Sequence, residues 1–519
     1  MNPIRRSYRF WLVPLVLILS LLLRLDHRYF YPNFYLDTEV QLAAAQSFLL
    51  GDGFGYRYTH GPDLGEVQYR SGHIFMPGYA AAVVPAFLLT EDWYLAAYLV
   101  DVLSFLLIYL GLIWIWSEIQ GERKMLVWML LLIGISPAPL HYLTASGALA
   151  IGLYLLSLAG LLQSARTSNI WMYILSIGLA GLAAITRSAY LPLWLALPIM
   201  MGVWGGFMQH SPELKWGIGG GFCTLILIVL VQLLKAGDES FFDSMNQRLY
   251  WEHLWAMEPF PFKTFFYYGV PHEVWLQEKS EFLYGILQAV AYGASFLILG
   301  GLLVASNSAR KSTRSIPKGG RRWLLGIWVI IGINVAMLAL LSLRVPSESW
   351  NWTGFWTFVM EPRYYMPAMF SLLISVFWLG GQRRWARAKK WIRIFLLIIS
   401  LAACSYPLYL KFRIHIQGNL SGTFAVDPRP LWAEKIQQLP KDEHSLLVLT
   451  SSTNTHIGEM VGAVTLPWEF MQVDSIFSSV PLTLVGLTLP EHTPSEVDTI
   501  EMIEGYWWWE KQYPASSGE

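Results

Sequence analysis

Apolar runs long enough to approach the width of a bilayer recur along most of this chain, and they leave few folds open to it. They lie at Phe10–Leu25, Ile74–Leu89, Tyr94–Trp116, Met125–Leu140, Ala145–Leu162 and Ile170–Ile185. Six more follow at Ala189–Trp204, Trp216–Leu234, Tyr284–Ala305, Trp323–Leu343, Tyr364–Leu379 and Ile392–Leu410. A helix that crosses the hydrocarbon core needs about 20 predominantly apolar residues. With 55% hydrophobic and 14% charged residues in 519, and a mean hydropathy of +0.42, the chain reads as an all-α polytopic membrane protein. Formal net charge is zero, which gives no reason to expect a nucleic-acid partner. Membrane lipids are the partner that the composition implies.

The connectors decide how many runs cross. Lys and Arg concentrate in Arg310–Arg322 and Gln382–Arg393, and more weakly at Glu122–Lys124 and Arg166. If all twelve runs crossed from a cytoplasmic N-terminus, the two strongest basic connectors would lie outside, against the positive-inside bias. The run Ile74–Leu89 contains Pro77, Gly78 and Pro85 and ends in Glu91 and Asp92. Treated as re-entrant or interfacial, it leaves about eleven crossings, puts every basic connector inside, and puts the C-terminus outside. The arginines at positions 5, 6 and 9 precede an apolar run with no small-residue cleavage site, so that run reads as an uncleaved first span. This topology corresponds to a multi-pass protein of the plasma (inner) membrane.

Three polar segments then lie outside. Residues 26–73 form the first outer loop, and 236–282 an aromatic-rich amphipathic loop, both within a membrane domain of residues 1–410. Residues 411–519 change character, from a helix-like RPLWAEKIQQL to a strand-like SLLVLTSS and short alternating runs. That pattern predicts a small extracytoplasmic α/β domain. The WWW run at Trp507–Trp509 suits either an interfacial anchor or a packed terminal element. Cys223 and Cys404 fall in apolar runs and read as small core residues, with no disulfide framework.

Chemistry has few places to reside. The stretch LDTEVQLAAAQSFLLGDGF follows the first span, and places Asp37 and Glu39 at the start of a helix that a Gly-Asp-Gly turn closes. One acid can cap the helix while the other is solvated; beside a membrane face, either can act as a general base or a metal ligand. Arg187, in AAITRSAYLP, ends an apolar run on the outer side, and Arg363, in FVMEPRYYMP, opens one there. Basic groups at outer span ends either snorkel to headgroups or hold an anion, for which a phosphate matches the guanidinium fork. Asp101 is a carboxylate within a span, fit for function or for an interhelical hydrogen bond. His60, His73 and His272 lie in outer loops and read as structural or solvated more readily than as ligands.

In order, the chain presents an arginine cluster, one span, an acidic outer-loop motif with a helix ending in GDGF, a PGY segment and ISPAPLHY. AAITRSAYLP, EPRYYMP and a polar tail follow. That order resembles the polytopic glycosyltransferases that use lipid-phosphate sugars, the GT-C superfamily. It is most similar to glycosyltransferase family 39 and its aminoarabinose-transferase and protein-mannosyltransferase relatives. The resemblance implies that Asp37 is the catalytic base and that Arg363 and Tyr364 lie near the donor phosphate. It implies a phosphate role for Arg187, and leaves Glu39 as second acid, metal ligand or neither, because Thr38 separates it from Asp37 where relatives have adjacent acids. A polyprenyl-phosphate-linked sugar donor and a lipid, glycan or protein acceptor are the implied partners, with a divalent metal as possible cofactor. A lipid-linked glycan polymerase or ligase would lean on arginine and histidine in place of the acidic motif. A transporter or flippase would show repeated halves and mid-membrane charges, whereas the sequence offers Asp101 and no visible repeat.

Overall fold

The computed structural model describes residues 13–19, 22, 36–49, 51, 53–59, 67–71, 76–135, 146–235, 299–307, 316–344, 362–381, 446–451, 464–467, 482–488, 499–503 and 506–513. In chain order, helix α1 (Leu36–Leu49) is followed by strands β1 (Gly55–Thr59) and β2 (Val67–Ser71). Helices α2 (Gly78–Thr90), α3 (Trp93–Glu118), α4 (Arg123–Ile135), α5 (Ser146–Thr167) and α6 (Ile170–Thr186) come next. A 3-10 turn (Ser188–Tyr190) leads into α7 (Leu191–Met208) and α8 (Ser211–Lys235). Then come α9 (Lys318–Arg344), α10 (Pro362–Gly381) and strands β3 (Leu446–Ser451), β4 (Val464–Pro467), β5 (Leu482–Thr488), β6 (Thr499–Ile503) and β7 (Tyr506–Tyr513). Short helical stretches also cover 13–19 and 299–307.

Among the described residues, six helices are long and apolar enough to cross a membrane: Leu95–Glu118, Ser146–Thr167, Ser188–Met208, Ser211–Gln232, Lys318–Leu340 and Tyr364–Gly381. The chain is therefore a multi-pass membrane protein. The run Ile392–Leu410 lies outside the described residues, as do half of Phe10–Leu25 and most of Tyr284–Ala305, so the six are no count of the whole chain. The expected re-entrant run holds α2, whose 13 residues span about 20 Å against a hydrocarbon core of about 30 Å.

The chain divides into two compact units, one of Met1–Asp26 with Val102–Arg413 and the other of His27–Asp101 with Ile414–Glu519. In the first, helices pack through small residues, α3 and α5 side by side and parallel. A Cβ on Gly111 of α3 would lie 2.7 Å from the Leu155 Cβ of α5, and one on Gly152 would lie 2.9 Å from the Leu107 Cβ. Close approach of this kind replaces the hydrophobic drive that lipid cannot supply. Gly217 of α8 abuts the Gly202 backbone of α7 in the same way.

Polar contacts sort the helix ends of this unit. Arg166 pairs with Glu118 at 3.2 Å, Trp378 Nε1 donates to the Ile119 carbonyl at 2.9 Å, and Arg322 pairs with Glu213. These bonds gather the start of α4 and α9 and the ends of α3, α5 and α10 at one end of the bundle, with the basic residues of Glu122–Lys124 and Arg166. The Asn169 side chain caps α6 there, accepting from Trp171 N and Met172 N. From that cap, the 17 residues of α6 carry the chain about 26 Å, close to one hydrocarbon thickness, before Arg187. Arg187 thus stands at the opposite end of the bundle from the basic connectors that are described.

One expectation is corrected. Cys223 was read as a core residue, but it is exposed on α8, beside Ile218 and Phe222, each 68% exposed. An apolar run signals burial from water and does not say whether protein or acyl chain covers it. Cys404 lies outside the described residues.

The second unit joins segments from both parts of the chain. Helix α1 packs on α2, burying Leu42 and Ala45, and β1 lies beside both α1 and β4. Strands β1 and β2 form an antiparallel hairpin that pairs Tyr56 with Arg70 and Tyr58 with Gln68. The described tail residues form one mixed sheet in the order β4-β3-β5-β7-β6, parallel at β4-β3-β5 and antiparallel at β5-β7-β6. Trp508 and Trp509 are both fully buried on β7. Adjacent strand residues point to opposite faces, so both faces of the sheet are covered at Trp508 and Trp509, which are packed and not interfacial. The helix-like RPLWAEKIQQL lies outside the described residues.

Candidate functional site

Asp37 and Glu39 both fall in the first turn of α1, as its acidic N-terminal pattern predicts. They belong to the second unit. The far end of α1 closes as the glycines required: Gly51 and Gly53 take φ of +91° and +86°, and Gly51 N donates to the Phe48 carbonyl at 3.1 Å. Phe48 then stacks on Phe54 with ring centroids 4.2 Å apart. The LDTE…GDGF stretch is thus one helix with a pinned exit, and its two acids lie at the opposite end from that pin.

Arg187 and Tyr364 belong to the first unit, and the structure brings them together. Arg187 ends α6 in extended backbone, its N–H bonded to the Ala183 carbonyl. Its guanidinium carbon lies 5.4 Å from the centroid of the Tyr364 ring, a cation–π arrangement. Tyr364 is the third residue of α10, and Arg363, immediately before it, occupies the second position. Tyr364 packs on the buried group Met337, Leu338 and Tyr365, together with Ala189.

Two further groups at this end had no place in the sequence reading. Tyr190 is buried, its ring edge-on to Tyr154 at 5.7 Å, and its hydroxyl has no hydrogen-bond partner among the described residues. Asn334, in the middle of α9 and fully buried, donates from Nδ2 to the Tyr364 carbonyl at 2.9 Å. A lone amide in the run Trp323–Leu343 was a readable signal, since intramembrane polar groups need partners; nothing in the pattern marked Tyr190. Asp101 is buried in α3. His60, His73 and His272 lie outside the described residues. Among the described residues, no three His, Cys, Asp or Glu side chains cluster to suit a metal ion.

Fold and described site define a class: a multi-pass helical membrane protein with an arginine–tyrosine pair at one end of its bundle and a mixed sheet in its second unit. No protein-family model and no curated protein matches the sequence. Among solved structures, the chain is similar to the apo oligosaccharyltransferase of Archaeoglobus fulgidus, at 12% identity and a TM-score of 0.46. That match covers 90% of this chain but 65% of the oligosaccharyltransferase, less than two thirds of its length. It is also similar to ArnT from Cupriavidus metallidurans bound to undecaprenyl phosphate, at 14% identity and a TM-score of 0.43, over 97% of this chain and 98% of that one. The apo form of the same ArnT gives 13% identity and 0.42. At such identities and scores these likenesses assign no activity and no residue role to this chain.

Proposed function

We propose that the protein is a membrane glycosyltransferase that moves a sugar from a polyprenyl-phosphate donor to an acceptor on the extracytoplasmic face. The single observation that carries the reading is the Arg187–Tyr364 pair. Two residues from distant segments, both named by the resemblance, meet about one hydrocarbon thickness from the basic connectors. That is the level at which a lipid phosphate head resides. Arg187 and Arg363 supply the cationic forks for its oxygens, and the Tyr364 ring lies beside the first of them.

Asp37 accepts the proton of the acceptor hydroxyl as that oxygen forms its bond to the anomeric carbon. The bond from that carbon to the phosphate oxygen breaks with inversion, and the leaving polyprenyl phosphate takes the electron pair, stabilised by the arginines. Glu39 stands by as second acid or metal ligand. A divalent metal would add Lewis-acid stabilisation of the phosphate; the steps here are assigned to side chains alone.

The test uses detergent-solubilised full-length protein and vesicles. Asp37→Asn is expected to abolish sugar transfer from a polyprenyl-phosphate sugar while polyprenyl phosphate still binds. Arg187→Ala is expected to weaken that binding by about tenfold, the size of a charge-assisted bond. Near-normal transfer by the first variant removes the base, and unchanged binding by the second removes the phosphate site.

A further inference from the structure

We propose that Asn334 is a positioning residue for the phosphate-binding end of the bundle: its amide fixes the turn of α10 that carries Arg363 and Tyr364. The inference rests on the phosphate reading above.

The backbone of that turn is weakened by its own sequence. Pro367 lies inside α10 and has no N–H, so the carbonyl four residues earlier, that of Arg363, loses its ladder donor. A turn with a missing bond at its start has more than one way to pack. The next carbonyl, that of Tyr364, receives a bond from outside the helix, from Asn334 Nδ2 on α9. The Tyr364 ring in turn carries the Arg187 guanidinium. One amide therefore restrains the turn that carries Arg363 and the ring against which Arg187 lies.

Packing alone does not account for an asparagine there. Asn334 is fully buried in an otherwise apolar stretch, and its Oδ1 has no hydrogen-bond partner among the described residues. A buried carbonyl oxygen without a partner is a cost that leucine, of similar volume, would not carry. The same pair of helices also contains its own comparison. Trp323 Nε1 of α9 donates to Ser375 Oγ of α10 at 2.8 Å. Eleven residues separate Trp323 from Asn334, and eleven separate Tyr364 from Ser375, so the two bonds are steps in one antiparallel register. Both join α9 to α10, but the Trp323–Ser375 bond lies about three turns from Arg363 and Tyr364. A merely structural role predicts the same consequence for losing either bond; a positioning role does not.

The experiment measures binding of undecaprenyl phosphate, with the uncharged polyprenol as reference, and thermal stability in the same detergent. Asn334→Leu is expected to keep or raise the melting temperature and to weaken undecaprenyl phosphate binding by about fivefold, the worth of one ordinary hydrogen bond, with polyprenol binding unchanged. Ser375→Ala is expected to leave phosphate binding unchanged even where it lowers the melting temperature. In the Arg187→Ala background, Asn334→Leu should cost little more, because residues acting through one another are not additive. Fully additive losses, or equal losses from Asn334→Leu and Ser375→Ala, overturn the inference. If Arg187→Ala itself leaves undecaprenyl phosphate binding unchanged, the phosphate reading fails first; if it weakens binding and Asn334→Leu does not, the positioning role alone fails.

Discussion

At the scale of single residues, the polar contacts within the bundle differ in what they risk. Glu213, at the start of α8, is fully buried and pairs with Arg322 of α9; His210 Nδ1 lies 3.4 Å from the same oxygen. Removing one partner of a buried pair strands the other charge, whereas replacing both by apolar groups relieves the desolvation of each. Glu213→Gln is thus expected to destabilise the unit by about 3 kcal/mol or more, while Glu213→Leu combined with Arg322→Met recovers most of that loss. Thermal melts in detergent read both, and a double variant no better than the single would show the pair to be favourable in itself. Arg187 lies on a ring at the far end from this pair. Two alternatives for it were readable in the sequence: an arginine on the side where arginine is rare either reaches lipid or holds an anion. What the sequence could not show was the ring beneath it, because cation–π contact depends on how α6 and α10 pack.

At the scale of elements, helices were legible and their neighbours were not. The apolar runs located α3 to α10 to within a few residues, and the GDGF stretch predicted the pinned exit of α1. The β1–β2 hairpin was missed, although GYRYT and VQYRS alternate, because both runs are short and polar. Cys223 was misjudged for the reason that helix–helix and helix–lipid faces are equally apolar. The glycines hold the information that hydropathy lacks: Gly111 marks where α3 touches α5. Gly111→Leu is therefore expected to force the two helices apart at a cost of about 1–3 kcal/mol, read as a lower melting temperature in detergent. The same change at Gly178, which has open space around it, should be tolerated.

At the scale of the whole molecule, the arrangement of charge makes an orientation testable. The described basic connectors share one end of the bundle, so the positive-inside bias predicts a cytoplasmic position for that end and the opposite side for Arg187. A reporter joined after Lys411 is expected to read outside in whole cells; a cytoplasmic reading would break the count of about eleven crossings. The exposed face of α8 has a further consequence. Ile218, Phe222 and Val229 are exposed on a helix long and apolar enough to cross a membrane, so acyl chains are the solvent expected there. A ligand with a long hydrocarbon tail reaches such a protein sideways, within the lipid phase. Its effective concentration is then a mole fraction in the membrane or micelle, and not a molarity in the tube. Adding empty detergent micelles at constant total undecaprenyl phosphate should lower occupancy, and adding buffer alone should not.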